Sequence, residues 1–136
     1  MKISAPTCVA RIEDVRALLE RAVKADPRSP EANYNIGRFF LYNYKDGLAA
    51  KAFTETIRLF DEGPVMSPRR VLTWVDSYRL LGEIQVKRKD EMKDTALETY
   101  GKGITIYEAQ RANRSVAQDP QVGKLYADYA DIEYFV

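Results

Sequence analysis

Proline placement constrains this chain more than any other feature. Of its six prolines, five stand in pairs that start or stop a helix: Asp26-Pro27, Ser29-Pro30, Gly63-Pro64, Ser67-Pro68 and Asp119-Pro120. A proline disfavours helical geometry in the residue before it, so Asp26 and Gly63 end helices. A serine before proline starts one, because its hydroxyl caps free backbone N–H groups and proline suits the first helical position. Between these marks apolar residues recur at three- and four-residue spacing, with no sustained period-two alternation. The chain therefore reads as all-α, with about six helices joined by short turns.

The first helix is expected from about Ala10 to Ala25, with Ile12, Val15, Leu18, Leu19, Ala22 and Val23 in one apolar stripe. The second runs from Pro30 to Tyr42 and turns Ile36, Phe39 and Phe40 inward. Asn43 to Gly47 forms a tight turn in which Asp46 is expected to cap the third helix. That helix reaches about Phe60, with Leu48, Ala49, Ala52, Phe53, Ile57 and Phe60 on its apolar side. The fourth opens at Ser67-Pro68 and runs to about Arg88, carrying Val71, Trp74, Val75, Tyr78, Leu81 and Ile84. The fifth is expected from Asp90 to Ala117. It contains Gly101 and Gly103, each costing up to ~1 kcal/mol relative to alanine, which marks a bend or a close helix crossing. The last follows Pro120, with Leu125, Tyr126, Tyr129, Ile132 and Phe135. Short turns make neighbouring helices antiparallel, so the expected product is a row of helical hairpins.

The row is periodic. Val15, Leu19, Ala22 and Pro27 have counterparts 34 residues later at Ala49, Phe53, Thr56 and Asp61. Residues 30–63 resemble one complete tetratricopeptide repeat: Ile36-Gly37 match its paired Leu-Gly, Phe40 its aromatic, Ala49 its small residue and Phe53 its large apolar one. Residues 9–27, ending Ala25-Asp26-Pro27, resemble the second helix of a preceding partial repeat. Residues 68–118 resemble a degenerate, extended copy through Tyr78, Leu81-Gly82, Ala96, Tyr100 and Gly103, and within the terminal helix, 120–136, Tyr126 to Ala130 resembles the start of another first helix. Thr56 in place of alanine, about ten extra residues between Gly63 and Trp74, and the long fifth helix depart from the pattern. Glycine inside a helix is costly unless something needs the space, so Gly37 and Gly82 are expected where a neighbouring helix packs close, with Ala22, Ala49 and Ala96 serving the same end. The resemblance implies a single domain, 1–136, built as a short right-handed solenoid in which hairpins must stack to bury their apolar faces.

Proteins of this family generally bind peptides or partner proteins on the concave surface lined by the first helix of each hairpin. The resemblance places Tyr34, Asn35, Arg38 and Tyr42 there, with Glu31 and Leu41, and from the next hairpin Arg79 and Glu83, with Asp76, Leu80 and Lys87. One subtype grips chaperone C-termini. Asn35 falls on its central asparagine, but Asp76 and Leu80 stand where a lysine and an arginine are required, so chaperone-tail binding is not expected. Tyr126, Tyr129 and Tyr134 exceed what one terminal helix buries. They are expected to pack on the fifth helix, or to form an assembly surface that makes a homo-oligomer the alternative reading.

Composition narrows the remaining classes. Lys and Arg number 21 and Asp and Glu 20, so the net charge of +1 gives no overall field for nucleic acid. There is no histidine, which removes the commonest general base and metal ligand. Cys8 is the one cysteine, so neither an intrachain disulfide nor a cysteine-rich zinc site is available. No nucleophile–base pair or phosphate loop is legible, and no enzyme, cofactor or metal is expected. Glu83, Asp90, Glu91 and Asp94 interleave with Lys87, Arg88, Lys89 and Lys93, the pattern of a solvated, salt-bridged turn. Ser67-Pro68-Arg69-Arg70 is explained as a helix cap. No stretch reaches the ~20 apolar residues of a membrane helix. The short N-terminus lacks the apolar core of a secretory signal. The aromatic ending suggests a piece of a longer protein, cytoplasmic by default and periplasmic if that protein carries a signal elsewhere.

Overall fold

The structure, a computed structural model, describes residues 8–63, 67–88, 93–110 and 120–135, with side chains described for all of these except 8–10, 93 and 132–135. It is helical throughout: α1 (Cys8–Ala25), α2 (Pro30–Tyr42), α3 (Asp46–Glu62), α4 (Pro68–Lys87), α5 (Lys93–Gln110) and α6 (Pro120–Phe135). None of these helices is long and apolar enough to cross a membrane. The expected extension of α5 to Ala117 and its start at Asp90 fall outside the described residues.

Local chemistry sets the helix starts. Ser29 and Ser67 adopt extended geometry, and their hydroxyl oxygens accept from the N–H groups of Ala32 at 3.2 Å and Arg70 at 3.3 Å. Each is followed by proline at the first helical position, as the sequence implies. The α2–α3 turn corrects the expected cap. Asp46 is already helical, and the preceding residue, Lys45, gives no side-chain cap. The turn is held from the other side. The N–H of Lys45 reaches Phe40 O at 2.8 Å and that of Tyr44 reaches Leu41 O at 3.2 Å, a Schellman closure. Tyr44 sits at φ 60°, where glycine or asparagine is usual, and its ring projects into solvent.

Packing follows chain order. The α2–α3 and α4–α5 hairpins are the most extensive contacts, α1 lies on α2, α3 on α4 and α5 on α6, and α4 also touches α2 and α6. Ile36, Phe40, Leu41, Ala49, Ala52, Phe53, Leu80 and Ile84 make one core, and Val71, Val75, Ala96, Tyr100 and Leu125 the other. Two glycines set the approach within the hairpins. A Cβ on Gly37 would lie 2.8 Å from the Phe53 ring, and one on Gly82 would lie 2.5 Å from that of Tyr100. Gly103 admits Tyr78 Cβ at 3.0 Å and Leu125 at 3.4 Å, whereas Gly101 has open space. The close crossing expected of the α5 glycines therefore belongs to Gly103. Trp74 ties α4 to the end of α3, its indole N–H donating to Asp61 at 3.1 Å and its ring 6.2 Å from Phe60.

The α1 stripe departs from expectation. Leu19 and Val23 pack on the first core, but Ile12, Val15 and Ala22 are exposed and Leu18 is 63% exposed. A stripe spanning two sides of a helix needs neighbours on both, and among the described helices the extensive contact of α1 is with α2.

Candidate functional site

The polar side chains of α2, α4 and α6 gather around a buried centre. Asp76, on α4, accepts from the hydroxyl of Tyr34 on α2 and from Arg79 Nε at 2.8 Å. Arg79 Nη1 also lies 3.6 Å from Glu83, one turn further on. The Asp76 and Arg79 side chains are only 10% and 7% exposed. An ion pair this deep needs its hydrogen bonds complete, and among the described residues no buried side-chain polar atom lacks a partner. Burial opposes the Arg79 charge, but the negative charge and hydrogen bond of Asp76 outweigh it and hold the guanidinium above its ordinary pKa. Burial, reinforced by Asp76, pushes the Tyr34 hydroxyl far up, so it stays a proton donor. The Tyr34 ring is fixed from behind by Phe53, 6.0 Å away.

A groove opens on each side of this centre. The α2–α4 groove, about 370 Å³, is lined by Glu31, Tyr34, Asn35, Arg38, Arg69, Arg70 and Thr73. Arg38 lies 5.6 Å from both the Tyr34 and Tyr42 rings and donates to the Tyr42 hydroxyl at 3.4 Å. The second groove, about 330 Å³, runs along α4 and α6. Glu83, Val86, Lys87, Lys124, Asp128 and Asp131 frame its mouth, with Arg79 and Tyr100 beneath. Burial lifts the Asp128 carboxyl above the usual carboxylate range, and the positive charge of Arg79 only partly offsets that.

Of the residues expected on the concave face, Tyr34, Asn35 and Arg38 line the α2–α4 groove, Tyr42 touches Arg38 beside it, and Glu83 lies in the α4–α6 groove. Arg79 and Leu80 do not serve as exposed contacts. Arg79 is buried in the ion pair, and Leu80 belongs to the core shared with α2 and α3. Both were placed by the family resemblance, which does not register that in this chain α6 packs on α4 as the α2–α3 hairpin does. Arg69, Arg70, Lys124 and Asp128 entered through tertiary packing. The sequence signal for the first two is the Ser67–Arg70 segment, in which the capping role of Ser67 accounts for the serine and proline but not for the two arginines.

Two of the terminal tyrosines, Tyr126 and Tyr129, are engaged within the chain. The Tyr126 hydroxyl donates to Glu108, its ring meets Tyr107 edge-on at 6.0 Å, and Tyr129 packs against the second core. Tyr134 lies outside the described side chains. No family model matches the chain, and no curated protein matches it.

Proposed function

We propose that this chain is a non-enzymatic interaction module, a short right-handed solenoid of the tetratricopeptide kind, which receives a peptide or partner protein on the face of α2, α4 and α6. One observation carries the reading: two grooves, one lined by α2 and α4 and the other chiefly by α4 and α6, lie beside a buried ion pair. Hairpins packed in chain order, each closed by a glycine against an aromatic ring, support the solenoid reading. Tyr34 and Arg38 suit recognition because both are held by their neighbours before a ligand arrives, so little side-chain freedom is lost on binding.

Peptides selected from a random library against the purified chain are expected to shift backbone NMR signals of Tyr34, Asn35, Arg38, Glu83 and Asp128. Signals of Lys51, Thr54 and Arg58, on the outer side of α3, should stay in place. Shifts confined to α3, or a library yielding no binder, would sink the proposal.

The exposed apolar positions of α1 favour a second reading, a self-assembling structural subunit. On that reading the molar mass in solution rises with concentration, and Leu18→Lys returns it to the monomer. A mass fixed at 15.6 kDa across the series excludes it.

A further inference from the structure

The two grooves differ in charge. The α4–α6 groove sets Arg79, Lys87 and Lys124 against Glu83, Asp128 and Asp131. The α2–α4 groove has three guanidinium groups, from Arg38, Arg69 and Arg70, and Glu31 as its one carboxylate. Glu31 is already engaged, accepting from Arg70 Nε at 2.7 Å, and Arg70 is further fixed 5.4 Å from the Phe60 ring. The neighbouring Asp76 is neutralised by Arg79. Arg38 and Arg69 have no ion-pair partner among the described residues. Arg38 nevertheless lies in a defined place between two tyrosine rings, with Asn35 exposed beside it.

We infer that the α2–α4 groove binds an acidic peptide segment, its carboxylates pairing with Arg38 and Arg69 and its backbone meeting the Asn35 amide. The inference rests on the peptide-binding reading above and adds the chemistry of the ligand. Guanidinium presents a planar fork that matches a carboxylate, and a pre-positioned fork loses less freedom on binding than a free one. The amide of Asn35 both donates and accepts, as a peptide backbone requires. A net charge of +1 gives no overall field toward a nucleic-acid backbone, and among the described residues the groove offers only two unpaired guanidinium groups, which favours a short acidic peptide over a strand of phosphates.

The test is fluorescence anisotropy of a fluorescein-labelled hexaglutamate peptide, with hexaglutamine and oligothymidylate as comparators. Hexaglutamate is expected to bind at least ~10-fold tighter than hexaglutamine, and to weaken as salt screens the charges. Arg69→Glu and Arg38→Glu should each lower that affinity ~10-fold or more, whereas Arg58→Glu on α3 changes it less than ~2-fold. Arg69 is exposed and outside the cores, so its variant retains the fold, as circular dichroism would verify. Equal binding of hexaglutamine, indifference to Arg69→Glu, or tighter binding of oligothymidylate overturns the inference. If library-selected peptides map to this face but are not acidic, the inference falls and the interaction module stands. If no peptide of any charge perturbs the face, both fall.

Discussion

Replacing Gly82 with alanine is expected to lower the melting temperature by roughly 5 °C, and with leucine by at least ~10 °C, although both are better helix formers. Alanine at an interior helix position gains up to ~1 kcal/mol of propensity over glycine. Here its Cβ would lie 2.5 Å from the Tyr100 ring, which is 2% exposed and cannot swing away. Overpacking of this kind costs ~1–3 kcal/mol, so the clash outweighs the propensity. Gly101, on α5, supplies the internal control. Nothing lies within 4 Å of a Cβ there, so Gly101→Ala should raise the melting temperature by a few degrees. Gly37→Leu, facing Phe53 at 2.8 Å, should unfold the central hairpin. In a Tyr100→Leu background the effect of Gly82→Ala should shrink, because the two positions share one space. A thermal melt in which Gly82→Ala matches or exceeds the parent protein would refute this account of the hairpin.

Asp76→Ala is expected to destabilise the chain by about 3–5 kcal/mol, more than the double change Asp76→Leu with Arg79→Met. The single substitution takes the closest partner from a guanidinium that is 7% exposed, leaving it Glu83 at 3.6 Å and the more distant charge of Asp128, and removes the acceptor of the Tyr34 hydroxyl. The double substitution removes both charges and fills the space with apolar atoms, a replacement that is often close to neutral. Urea denaturation of the single and double variants checks the order. A double variant less stable than Asp76→Ala would refute the claim that the stranded charge is the main cost. Because Tyr34 forms part of the groove wall, Asp76→Ala should also loosen peptide binding on the α2 side, whereas Lys51→Ala should not.

Helix positions were legible in the sequence because their causes are local. Ser29-Pro30 and Ser67-Pro68 carry the cap and the first helical residue within two positions, and no distant contact is needed to place them. Gly37 and Gly82 were legible for a related reason: glycine is so unfavourable inside a helix that its presence signals a space requirement. Asp46 misled because an acidic residue before an apolar run resembles a cap, whereas the turn is closed by backbone carbonyls of α2. The α1 stripe misled because periodicity shows that a face is apolar without showing that anything covers it.

The sequence by itself determined that the described residues fold into helices, where most of those helices begin and end, and that Gly37 and Gly82 stand where a large neighbour packs close. These follow from interactions spanning a few residues, or from one residue type with a single tolerable use. Only the tertiary structure decided that Arg79 is buried while Arg38 is exposed, since both are arginines on amphipathic helices with the same local pattern. The partner that separates them is Asp76. It lies one turn from Arg79 and receives the hydroxyl of Tyr34 from 42 positions away. The groove charge was decided the same way, because Arg38 and Arg69 share a cavity only once α2 and α4 pack side by side.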